Sequence, residues 1–145
     1  MVQKLFSKKW IASSQKRKQR KYLFNAPLNI KHKLISASLS KELKKEHNIR
    51  SIPVRKGDTV KIMSGQFKDK TGKVSKVSLL RLKVYVDGAT IKRRDGTDAM
   101  YPIHPSNLMI TKLDLSDKAR EEKVKSFSKK DKKVEAKKWV QIQDI

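Results

Sequence analysis

Val54-Arg55-Lys56-Gly57-Asp58-Thr59-Val60-Lys61-Ile62 carries the first period-two pattern in the chain. Val60 and Ile62 alternate with Thr59, Lys61 and Met63, so one face of a strand is buried and the other meets solvent. Asp58, just before it, is placed to accept backbone N–H groups within its own turn. Downstream, Gly65 and Gly72 bracket the segment from Gln66 to Thr71, and we read both as turn glycines. Val74 and Val77 then resume a strand. Leu82, Val84 and Val86 share a face, with Arg81, Lys83 and Tyr85 opposite. Asp87-Gly88 ends that strand, and Asp95-Gly96 separates Ile91 from Met100. Leu108 and Ile110 supply a last strand after His104-Pro105-Ser106-Asn107. About five short strands, each followed by turn chemistry, describe a small curled barrel rather than an open sheet.

Upstream the character of the chain changes. Residues 1–50 carry 14 basic and 2 acidic side chains, against 12 and 5 in residues 51–110 and 11 and 7 in residues 111–145. Lys16-Arg17-Lys18-Gln19-Arg20-Lys21 places five cations in six positions, behind Ser13 and Ser14 as N-caps. Like charges at helical spacing repel, so phosphates would order this arm. Asn25-Ala26-Pro27 reads as a second helix start, with Pro in the first turn. Ile30, Leu34 and Ile35 follow at helical spacing, and Ser38 or Ser40 caps a third short helix over 41–47. These helices are too short and polar to form a core alone and must lie on the β centre or on a nucleic acid. The expected organisation is a basic extension with short helices over 1–50, a β unit over 51–112 and a charged helical extension over 113–145. In the tail, Trp139 reads either as a docking contact to RNA or a neighbouring protein or as a residue folded back on the barrel, and Leu5, Phe6 and Trp10 pose the same question at the other end.

The whole chain holds 37 Lys and Arg against 14 Asp and Glu, a formal charge of +23. Such a surplus repels itself and calls for a polyanionic partner. With no Cys there is neither a disulfide scaffold nor a thiol nucleophile, and His32, His47 and His104 have no metal-ligand spacing. No cofactor or metal is expected. No apolar run reaches the roughly 20 residues that span a bilayer, and the N-terminus lacks a signal-peptide pattern. The carboxylates Asp58, Asp69, Asp87, Asp95 and Asp98 fall in turns without the pairing of acid–base or metal catalysis.

The quoted stretch, with Gly65, Phe67-Lys68 and Gly72-Lys73-Val74, resembles a KOW motif, which occurs in SH3-like barrels of ribosomal proteins and transcription elongation factors. Lys18-Gln19-Arg20-Lys21, Phe24-Asn25-Ala26-Pro27, Leu39-Ser40-Lys41-Glu42-Leu43 and Arg50-Ser51-Ile52-Pro53-Val54-Arg55 extend the likeness in order. So do Gly88-Ala89-Thr90-Ile91-Lys92, Asp95-Gly96-Thr97 and Ile103-His104-Pro105-Ser106-Asn107. From about Lys16 to Lys123 the chain resembles the KOW-containing large-subunit ribosomal protein family in its archaeal and eukaryotic form. The resemblance implies a mainly β fold with an SH3-like barrel, short N-terminal helices and basic extensions. It implies a non-enzymatic constituent of the cytoplasmic large subunit that binds its rRNA, supports assembly and sits near the polypeptide exit beside neighbouring large-subunit proteins. Neither membrane insertion nor a small-molecule substrate is expected. The alternative from the same motif is a KOW-domain elongation factor binding RNA and polymerase, but 145 residues leave no room for its usual further domain. Asp69 departs from the motif, which has Gly there; its turn must either keep φ negative or exploit the left-handed tolerance of Asp.

RNA binding by such a chain is mostly neutralisation of phosphates, guided by shape. The candidate contacts on the arm are Lys16, Arg17, Lys18, Arg20, Lys21 and Asn25, followed by Lys31, His32 and Lys33. Arg50, Arg55, Lys56, Lys61, Lys68 and Lys73 come from the motif and its approach. Arg81, Lys83 and the hairpin tip Lys92-Arg93-Arg94 follow, with Arg the preferred anchor because it bridges phosphate oxygens or stacks on bases. His104, Ser106 and Asn107 either bring imidazole, hydroxyl and amide to RNA or cap the turn into the last strand.

Overall fold

The computed structural model describes residues 6, 7 and 12–126; the expectations for Leu5, Trp10 and Trp139 lie outside them. Two helices open the described chain, α1 (Lys16–Asn25) and α2 (Leu28–Leu34), followed by β1 (Ser36–Leu39), α3 (Lys41–His47) and β2 (Ser51–Pro53). The centre contains β3 (Thr59–Ile62), β4 (Thr71–Ser78), β5 (Lys83–Val86), β6 (Thr90–Lys92) and β7 (Asp98–Met100). A short 3-10 turn (Pro105–Asn107) leads into β8 (Leu108–Lys112), and residues 118–126 are helical, here α4.

Alternation builds the core. Val60 and Ile62 of β3, Val84 and Val86 of β5, and Leu108 and Ile110 of β8 are all fully buried, while the residues between them face outward. Six strands form a mixed sheet in the order β2-β1-β8-β3-β4-β5, and β6 with β7 forms a separate antiparallel ribbon. β4 serves two partners: residues 71–73 pair with β3 and residues 74–78 with β5, and a register irregularity falls between Val74 and Lys76. Such a bulge bends the strand and increases its twist. The sheet does not close into the expected barrel as a continuous ladder, because β2 and β5 are its edges. Beyond β5 there is, among the described residues, a single two-way bridge, Val84 N to Ile103 O at 2.8 Å and Ile103 N to Val84 O at 2.9 Å.

Two local expectations change. The segment after Leu34 is not continuous helix and turn: Ile35, Ala37 and Leu39 alternate into the core, and β1 lies between β2 and β8, parallel to β8. A sheet strand thus comes from the stretch read as a basic extension. Gly72 is not a turn glycine either. It lies in β4, and a Cβ there would come 2.4 Å from the Asp87 carbonyl oxygen, so its role is close backbone approach. Gly65, at φ +98°, is a turn glycine as expected. Asp69 takes the left-handed option at φ +65°.

The motif's Asp58 does more than close its own turn. It is 0% exposed and accepts the Arg55 N–H at 2.8 Å and the Asp114 N–H at 3.0 Å. Arg120 of α4, 4% exposed, grips both its carboxylate oxygens at 2.7 and 2.8 Å. The same guanidinium donates to the carbonyls of Asp114 and Pro53. With Val124 also in the core, α4 is latched onto the sheet.

Candidate nucleic-acid interface

No residue of α1 is buried, and its five cations Lys16, Arg17, Lys18, Arg20 and Lys21 are all exposed. Its N-cap is Gln15 rather than Ser13 or Ser14; Ser13 contributes from outside, its hydroxyl accepting the Gln15 N–H and its carbonyl the Gln19 side chain. The helix stops at Asn25, half-buried, because Ala26 turns extended ahead of Pro27, the N-cap of α2. Lys31 is placed differently from its neighbours. It is 6% exposed, and its ammonium lies 3.3 Å from the Phe24 carbonyl, where it caps the end of α1. His32 and Lys33 remain exposed.

The expected residues come together in three clefts. Arg20 and Lys21 meet Arg81 and His104 around Leu23, Phe24, Leu80 and Leu82, in a cleft of about 580 Å³. Lys83, His104 and Asn107 line a smaller one with Phe67, Tyr101 and the Gly65 turn. His32, Arg55 and Lys56 line a third together with Lys123. Arg50, Lys68 and Lys73 are exposed elsewhere on the surface, and Lys92, Arg93 and Arg94 project on the β6–β7 ribbon. The tip of that ribbon is held by Arg93 N to Thr97 O at 2.9 Å and Gly96 N to Arg93 O at 3.1 Å.

Some of these cations already have protein partners. Lys61 pairs with Asp69 at 2.9 Å; this contact holds the Asp69 carboxyl below its ordinary range, first through the hydrogen bond and then through the charge of Lys61. Arg55 pairs with Asp117 and lowers that carboxyl in the same way. His104 caps its turn: its Nδ1 accepts the Ser106 N–H at 3.3 Å and lies 2.8 Å from the Ser106 hydroxyl. Partial burial, reinforced by the charge of Lys83, pushes the imidazole below 6.5 and favours its neutral form.

Sequence reasoning passed over Leu80, which is 75% exposed, and gave Phe24, 83% exposed, no role. The signal for Leu80 was there: Leu79-Leu80 breaks the alternation of β4 immediately before a cation. Lys123 sits in a lysine-rich stretch of sequence and becomes distinct only through the docking of α4.

Residues 13–126, which run from the approach to α1 through α4, match the family model that describes the eukaryotic ribosomal protein L26 and its archaeal counterpart of the L24 type. The greater part of the chain is covered, and it therefore belongs to this family of large-subunit ribosomal proteins, components of the cytoplasmic ribonucleoprotein that carries out translation.

Proposed function

We propose that the protein binds large-subunit rRNA as a structural constituent without turnover, supports assembly of the subunit and sits near the polypeptide exit. The observation that carries the binding is α1: ten residues with five exposed cations, no acid in the first turn and no buried side chain. A helix that buries nothing gains little from its own protein, whereas phosphates would both neutralise and order it. Assembly and position rest on family membership. The clefts and the β6–β7 ribbon supply further phosphate contacts through Lys56, Arg81 and Lys92-Arg93-Arg94, and through Arg55 where phosphate displaces Asp117 from it, and Arg50, Lys68, Lys73 and Lys83 add charge. We read β3, β4, β5 and β8, joined round by the Val84–Ile103 bridge, as an SH3-like unit.

The test is a salt titration of binding to a large-subunit rRNA transcript. Replacing Arg17, Arg20 and Lys21 together with Ala should flatten the log–log salt slope by roughly two to three units, at about 0.7–0.9 per lost phosphate contact. An unchanged slope would show that α1 does not meet phosphates.

A further inference from the structure

The cleft between α1 and the β4–β5 turn combines features that phosphate neutralisation does not explain. Its walls are apolar: Leu23 and Phe24 come from the last turns of α1, and Leu80 and Leu82 from the turn opposite. Phe24 and Leu80 are exposed to a degree that costs free energy in water without a partner. Arg20, Lys21 and Arg81 stand at the rim with His104, and none of the lining residues is acidic.

The exposed groups are held in place. Lys31, itself buried, anchors the Phe24 carbonyl and thereby the end of the helix from which the ring projects. On the other side Leu82 adopts φ +52°, a left-handed conformation that a bulky non-glycine residue rarely takes. Leu82 is buried while Leu80 and Arg81 are directed to the surface. Backbone strain of this kind persists where the surroundings enforce it, and it is frequent at ligand sites.

We propose that this cleft takes an unstacked base of the bound RNA, laid on the Phe24 ring, with its flanking phosphates held by Arg20, Lys21 and Arg81. Every base has a π-face, and an aromatic platform beside cations is how proteins capture bases splayed from loops and bulges. The cationic rim selects a polyanion over an apolar protein segment. The inference rests on the rRNA-binding reading and assigns one of its contacts.

The experiment measures the affinity of the full chain for a large-subunit rRNA transcript across a salt series, for the parent, Phe24→Ala and Phe24→Trp. Phe24 is exposed, so both variants should melt with the parent. The proposal expects Phe24→Ala to bind about fivefold to a hundredfold more weakly with an unchanged salt slope, and Phe24→Trp to keep parental affinity. Parental affinity in Phe24→Ala would overturn the base site and leave the rRNA reading intact, assigning the ring to a protein neighbour. An equal loss in both variants would also overturn it, since stacking tolerates Trp. A parent that shows no salt-dependent binding would overturn both readings.

Discussion

Asp69 shows how one residue sets the charge of a loop. At φ +65° it occupies a conformation that glycine adopts freely, and its carboxylate holds the Lys61 ammonium 2.9 Å away. An exposed pair of this kind contributes little, and glycine would relieve the backbone by a comparable amount. Asp69→Gly should therefore melt close to the parent. It should also release Lys61 to the RNA and steepen the salt slope of binding by about one contact, roughly 0.7–0.9. Parallel thermal melts and salt titrations check this; an unchanged slope would mean the loop faces away from RNA. Glycine positions follow equally direct reasoning. At Gly57, φ is +97°, a backbone conformation that L side chains rarely adopt, so a substitution there is strained whatever space the neighbouring Asp114 carboxylate leaves.

Between elements, the decisive link is the buried pair Asp58–Arg120, made by residues 62 positions apart. Removing one partner of such a pair leaves an uncompensated buried charge. Arg120→Met should thus destabilise the protein by about 3–5 kcal/mol in urea denaturation, and the double variant Asp58→Asn with Arg120→Met should recover much of the loss. A parental midpoint for Arg120→Met would refute the latch. The sequence hid this contact. Arg120 stands in Asp117-Lys118-Ala119-Arg120-Glu121-Glu122, which reads as an ordinary solvated helix, and only docking shows which cation turns inward. β1 was hidden for a different reason: Ile30, Leu34 and Ile35 obey helical spacing while Ile35, Ala37 and Leu39 obey the strand period. Parallel pairing to β8, through Ser38 with Met109 and Leu39 with Ile110, resolves the ambiguity, and no local pattern contains that partner. The strands β3, β5 and β8 were legible because their alternation is unbroken and their boundaries carry Gly, Asp or Pro.

At the scale of the molecule, the charge of +23 makes a polyanionic partner legible from composition alone. The grouping of cations into clefts instead depends on where α1 lies beside the β4–β5 turn and on how α4 docks on the sheet. The same charge governs the response to acid. Asp69, Asp114 and Asp117 have folded pKa values below the ordinary 3.8, so their stabilisation is present above that value and is lost as pH falls through the folded pKa values. His104 lies below 6.5 in the folded protein; beneath 6.5 the unfolded chain takes the proton first, and stability declines there too. Each protonation also raises the net positive charge and its self-repulsion. Thermal melts from pH 8 to pH 3 should show Tm level above about 6.5, a shallow decline below it and a further decline under about 4. A Tm level to pH 3 would contradict these assignments. RNA binding in the cell is tested most directly by sedimenting a lysate that contains the tagged protein through a gradient at moderate and then high salt. The account predicts co-migration with the large ribosomal subunit that survives the salt wash. Migration with RNA polymerase, or as a free species, would contradict it.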